Sequence, residues 1–262
     1  QGQQQIAQQL REWLNSEVQT AHQSPRLQDR YSLRCAPHII GVFEDSKTWL
    51  RQFIENELNS SNDNPLIDPV NLRVLHGGHF YGGHIAQAMD SLKIMIANIA
   101  DLMDRQIAQL VDHKMNHGLA RNLTGASAER LPLNHGFKAV QIGVSAWTAE
   151  ALKHTLAASI FSRSTECHNQ DKVSMGTIAA RDATRVITLT QQVLAALCCA
   201  SVQAVHLKGV ESQLSPPLKA FVEWTLESFA LLQEDRPLQT ELQQIIDRFD
   251  NFELFNQFQQ QV

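Results

Sequence analysis

Residues 85–114 read IAQAMDSLKIMIANIADLMDRQIAQLVDHK. Ala88, Met89, Leu92, Ile96, Ile99, Met103, Ile107, Leu110 and Val111 recur there mostly in steps of three or four, the spacing that puts side chains on one face of an α-helix. Asn116, His117 and Gly118 then supply a stop. About 30 residues at this rise would make a rod of roughly 45 Å. A second such run extends from about Thr177 to Val205. A third, alanine-rich and interrupted only by Gly143, extends from Phe137 to Ile160. Helices this long pack as bundles, often across subunits. No segment shows hairpin alternation or a βαβ pattern, and aromatic residues are too few, at 6%, for a sandwich core. The expected fold is all-α, a long-helix bundle over residues 1–262. Its main loops fall at 60–69, 76–83, 123–136 and 212–218.

Composition narrows the function classes. A net charge of −5 without a Lys/Arg cluster makes nucleic acid and anionic membrane surfaces poor partners. No apolar run approaches the roughly 20 residues that span a bilayer, and no basic-then-apolar leader precedes the helices. Cys35, Cys167, Cys198 and Cys199 form neither a disulfide framework nor a CxxC knuckle, which points to a reducing cytoplasm. The chain opens QGQQQIAQQL, without methionine and directly in helical pattern. That start reads as the interior of a longer polypeptide.

Four segments carry candidate chemistry. HGGHFYGGH (76–84) packs three histidines and four glycines into nine residues. His76, His79 and His84 are possible zinc ligands, but they match no established spacing. The glycines favour unusual backbone dihedrals or a close approach instead. In LQDRYSLRCAPH (27–38), Gln28, Tyr31 and Arg34 stand at i, i+3 and i+6. On a helix they would line one wall, with an arginine suited to bidentate carboxylate binding; a solvated face is the alternative. Pro37 would end or kink that helix. In STECHNQDKVSMG (164–176), Glu166, Asn169 and Gln170 would share a helical face, as acid or base with amide neighbours or as an exposed polar turn. NHGFKAVQ (134–141) sets Lys138 just inside a helix start.

Taken in order, QDRYSLRCAPH, NELNSSNDNPLID, HGGHFYGG, HGFKAVQI and HNQDKVSMG resemble the aromatic amino acid ammonia-lyases and related aminomutases. EDRPLQTEL near the end fits as well, and HNQDKVSMG leans towards the phenylalanine and tyrosine enzymes. The resemblance implies the ammonia-lyase helical bundle, a homotetramer whose active sites draw residues from three subunits. It also implies an electrophile, methylidene-imidazolone (MIO), made from an internal Ala-Ser-Gly. The activity implied is elimination of ammonia from an aromatic amino acid to give an arylacrylate. Tyr31 and Glu166 would be catalytic, Glu166 handling a proton or ammonium. Arg34 would clamp the substrate carboxylate with help from Asn64. Gln28 would line the same pocket as Tyr31, and Phe80 would pack on substrate or electrophile. Lys138, Asn169 and Gln170 would complete the amine and ring side. The glycine-rich loop then serves to place Phe80, not to bind metal.

Three departures from the family pattern stand out. His79 occupies a position where Asn is usual, and His38 one where Gln is usual; each changes the donor and acceptor pattern there. No Ala-Ser-Gly occurs anywhere in the chain. The sequence therefore reads as the C-terminal half of a lyase, inactive without the N-terminal half that would carry the MIO. A 2,3-aminomutase and a non-catalytic helical assembly module are the competing readings.

Overall fold

The computed structural model describes residues 1–14 and 27–251. The period read at 85–114 is helix α4, Gly83–Val111. It is preceded by Gly82 at φ +64°, a left-handed position that glycine adopts without a Cβ clash. Upstream lie α1 (Gly2–Trp13), the four-residue α2 (Tyr31–Arg34) and α3 (Ala36–Leu58). Downstream lie α5 (Lys138–Lys153), α6 (Gly176–Lys208), α7 (Pro216–Leu226) and α8 (Gln239–Asp250). The helix bearing Tyr31 and Arg34 does break just ahead of Pro37, at Cys35, and Pro37 itself sits in the first turn of α3, where its missing N–H is no loss.

α4 and α6 lie along one another. Ala86, Ala97 and Ala100 on one, and Ala179, Ala183 and Ala196 on the other, are all buried, and small side chains let helix axes approach. Larger residues fill one end: Ile107, Val111, Phe137, Val144, Val193, Trp224 and Ile245 form a single cluster with α5, α7 and α8. Each fully buried aliphatic or aromatic side chain there contributes about 1.5–3 kcal/mol. Buried Gln203 fastens the C-terminal chain to this cluster, donating to the Leu123 and Leu232 carbonyls and accepting the Leu232 amide.

Three expectations change. The helix expected over 137–160 stops at Lys153, because the chain then turns to give the Ala158 and Ser159 amides to the Asp90 carboxylate. The all-α expectation holds for the bundle, but β1 (Leu66–Asp68) and β2 (Arg73–Leu75) form an antiparallel hairpin. Three-residue strands are too short to show alternation. Their turn is made by Asp68, whose Oδ1 accepts the Val70 and Asn71 amides. Finally, α6 is long and apolar enough by composition to cross a membrane, with mean hydropathy 1.5 over one window. Of that window 56% is buried inside the protein, the mark of a core helix. Burial also pushes the Cys198 thiol on α6 up to about 12, which makes it an inert core group.

Candidate active site

A cleft of ≈ 1170 Å³ opens where the N-termini of α4 and α6 meet the hairpin. Asn64, Phe80, Glu166, Asn169 and Gln170 all line it, so five sequence-chosen residues from three separate segments converge. Asn64 precedes β1, and its Oδ1 accepts the Gly77 amide at 3.0 Å, closing the base of the hairpin. Phe80 follows on the glycine-rich loop and is 53% exposed. Gly82 takes the left-handed step into α4. A Cβ on Gly77 would stand 2.7 Å from His79 Nε2, so the imidazole folds back over the bare backbone. His84 stands edge-on to Phe53, ring centroids 5.0 Å apart. Among the described residues no group of His, Cys, Asp and Glu is arranged to hold a metal ion.

Glu166, Asn169 and Gln170 are not on a helical face. Thr165 and Gln170 pair across a tight turn in which Glu166, Cys167 and His168 have φ of +53°, +53° and +71°. Left-handed backbone costs an L-residue roughly 1–2 kcal/mol, and such strain gathers at functional sites. The turn is held from within. Asn169 N donates to the Glu166 carbonyl, Asn169 Nδ2 donates to Glu166 Oε2 at 2.9 Å, and Ser164 Oγ pairs with His168 Nδ1 at 2.8 Å. One carboxylate oxygen of Glu166 is thus fixed while Oε1 has no partner among the described residues.

The other candidates stand elsewhere. Gln28 does not share a helix with Tyr31 and Arg34: the chain bends at Leu27–Gln28 and is extended at Arg30, so α2 starts only at Tyr31. Arg34 Nε donates back to the Asp29 carbonyl at 2.9 Å, and its guanidinium lies 4.5 Å from the Tyr31 ring centroid in cation–π contact. Its terminal nitrogens have no partner among the described residues, and Tyr31 is 69% exposed. Gln106 Nε2 ties α2 to α4 through the Ser32 carbonyl. Gln106 lies 23 residues beyond Gly83, roughly 35 Å along the helix at 1.5 Å per residue. Lys138 begins α5 and lines a separate apolar cleft of ≈ 780 Å³ with His135, Trp147 and Arg236. His38 pairs with Gln3 on α1, Nε2 to Nε2 at 2.9 Å.

The profile of the family described as aromatic amino acid lyase matches residues 1–226. The chain belongs to that family. Tyrosine ammonia-lyase of Cereibacter sphaeroides is 40% identical over 219 residues, covering 82% of this chain and 41% of that protein. Tyrosine 2,3-aminomutase of Chondromyces crocatus is 37% identical over 212 residues, 81% and 39% of the two chains. Among solved structures, histidine ammonia-lyase from Trypanosoma cruzi superposes with a TM-score of 0.85 at 27% identity, covering 98% of this chain and 47% of that one. Phenylalanine aminomutase of Pantoea agglomerans superposes with a TM-score of 0.83 at 32% identity, covering 94% and 51%. The chain thus has the helical bundle of the ammonia-lyases and aminomutases. It spans about two fifths of the length of the curated relatives it matches.

Sequence reading missed several residues of the cleft and its support. Glu57 at the end of α3, and Asp63 and Lys172 in loops, also line it; as ordinary charged residues they carry no signal. Asp90 and Lys93, both buried, share the small-residue face of α4 with Ala86, Ala97 and Ala100, beside the stripe of large apolar residues, so the helical period did not single them out.

Proposed function

We propose that this chain is the C-terminal part of an MIO-dependent aromatic amino acid ammonia-lyase acting on phenylalanine or tyrosine. It works with the N-terminal half as a homotetramer, in the cytoplasm. The observation that carries this reading is the separation of two exposed half-sites. The short helix α2, with Tyr31 and Arg34, is tied to Gln106 through the Ser32 carbonyl, and the cleft of Phe80 and Glu166 opens at the other end of α4. One chain cannot bring them onto a single small amino acid; a second copy running antiparallel along α4 can. Closed point-group symmetry makes such an exchange of ends reciprocal.

The residues present fit walls around an MIO group: Phe80 is half exposed in the cleft beside Glu166. The chain holds no Ala-Ser-Gly to form it. When bound, the group supplies the electrophile that turns the amine into a leaving group. Arg34 would grip the substrate carboxylate in a bidentate fork, with an Asn64 amide beside it. Glu166 Oε1 would hold the departing ammonium or its proton while Asn169 steadies Oε2. In the net reaction the Cα–N bond breaks, a Cβ proton leaves and the C=C bond of the arylacrylate forms. Gln28 and Lys138 reach such a site only from a neighbouring copy.

The aminomutase reading shares every step until the amine adds back at Cβ, and relatives of both kinds match the chain. The test is to assay the complete assembly with phenylalanine, tyrosine and histidine. Arylacrylate with free ammonia supports the lyase, and a β-amino acid supports the mutase. If neither forms, or if Arg34→Ala leaves turnover unchanged, the chain is a structural module.

A further inference from the structure

Lys93 is 0% exposed in the seam between α4 and α6. Its Nζ meets Asp90 Oδ1 at 2.8 Å, the Leu156 carbonyl at 2.8 Å and Asp182 Oδ2 at 3.4 Å. Asp90, 3% exposed, spends both carboxylate oxygens on backbone: Ala158 N reaches Oδ1 at 2.9 Å and Ser159 N reaches Oδ2 at 3.0 Å. The other oxygen of Asp182 lies 3.6 Å from His154 Nδ1. Burial opposes ionisation of Asp90, but Lys93 and the two amides outweigh it and keep the carboxyl below its usual range.

A helix seam does not need such a group. Burying two charges is costly, and apolar residues of the same volume commonly serve stability equally well. What apolar residues cannot do is hold backbone, and three of these contacts go to the backbone of residues 156–159. That segment leads directly into the loop bearing Glu166. Further along, Val173 N donates to Ser162 Oγ at 2.9 Å and draws the base of the loop together.

We propose that Asp90 and Lys93 are positioning residues for the cleft. They fix the 156–159 backbone and so set where the Glu166 carboxylate stands relative to Phe80. The proposal rests on the lyase reading for its kinetic consequence but not for its structural one.

The test is the double variant D90N/K93M in the complete assembly, compared with wild type. It removes the ion pair while conserving volume, and the side-chain amide that replaces the Asp90 carboxylate keeps one acceptor oxygen where two backbone amides need one each. The expected result is an unfolding temperature within a few degrees of wild type. kcat should fall about tenfold or more at nearly constant KM, since displacement near 1 Å costs on the order of 100-fold in rate. Amide exchange in residues 156–170 should accelerate about tenfold, with α4 and α6 unchanged. A variant whose stability, kcat and loop exchange all match wild type overturns the proposal, because the pair would then only fill the seam. Should the double variant not fold, D90N alone is read by the same criteria. If the wild-type assembly releases no ammonia, the lyase reading falls on that result. The exchange measurement still decides whether the pair holds the loop.

Discussion

Gly77 donates its amide to Asn64 Oδ1 at 3.0 Å, and this one bond joins the two ends of the hairpin at the rim of the cleft. With its carbonyl oxygen so engaged, Asn64 has its NH₂ left to offer. Asn64→Asp keeps the hairpin bond but, under the proposed function, puts a carboxylate beside the one the substrate would bring. Like charges a few ångströms apart in a partly desolvated site repel by a few kcal/mol. KM for the amino acid should therefore rise about tenfold or more in the complete enzyme, with the unfolding temperature unchanged. Steady-state kinetics decide it: an unaltered KM removes Asn64 from the substrate's surroundings.

The two half-sites on one chain predict complementation. Arg34→Ala and Glu166→Gln assemblies should each lose on the order of 100-fold in kcat/KM, as expected for a lost charge-assisted contact. If Arg34 and Glu166 meet from different copies, dissociating and re-forming a mixture of the two variants regenerates intact sites. Random assembly would make roughly a quarter of them wild type in both positions. Activity that stays at the level of the single variants would mean that both residues serve the same site from one chain.

α1 crosses α3 at two glycines. A Cβ on Gly41 would stand 2.4 Å from Gln3 N, and one on Gly2 would stand 2.3 Å from the Gly41 carbonyl oxygen. Both obstacles are backbone, which cannot rotate away. Gly41→Ala should cost about 1–3 kcal/mol, read as a lower urea midpoint, and Gly41→Leu should free α1 to early proteolysis. A midpoint equal to wild type for Gly41→Leu would show that the crossing contributes nothing.

Arg130 Nε and Nη2 each reach a Glu234 oxygen at 3.0 Å, and Asn134 Nδ2 adds a third bond. These bonds lower the Glu234 carboxyl from 4.5 to about 2. A carboxylate whose folded pKa lies below its unfolded one stabilises fully above the unfolded value and loses that contribution as pH falls through the folded value. Residues 230–236 should therefore loosen from 130–136 between about pH 4.5 and 2, seen as faster amide exchange there. Glu234→Gln should flatten that dependence; an equally steep profile in the variant would assign it to another group. Neighbouring Asp235 is the natural candidate, because the His135 and Gly136 amides overcome its burial and hold its carboxyl low as well.

The long helices were legible because helical period is local: Ala88 to Val111 declare one face over a few turns. Their ends were less so. α5 stops short of Ile160 because Asp90, on another helix and 68 residues away, captures the Ala158 amide. Glu166, Asn169 and Gln170 line one cleft, but not as a helical face. Spacings of three and four suit a helix, yet the same residues meet through three left-handed steps that no periodicity announces.

By itself the sequence determined that the chain is a bundle of long helices, and its ordered motifs pointed to the aromatic amino acid lyases. Both facts reside in short stretches, in period and in residue identity, that need no distant partner. Only the tertiary structure decided which chosen residues stand together. It joined Asn64, Phe80 and Glu166 across about a hundred residues of chain by packing α4 against α6, and it set Arg34 at the far end of the same helix. Distances of that kind depend on which side chains fill the seams between elements, Lys93 among them, and a linear order of residues does not contain them.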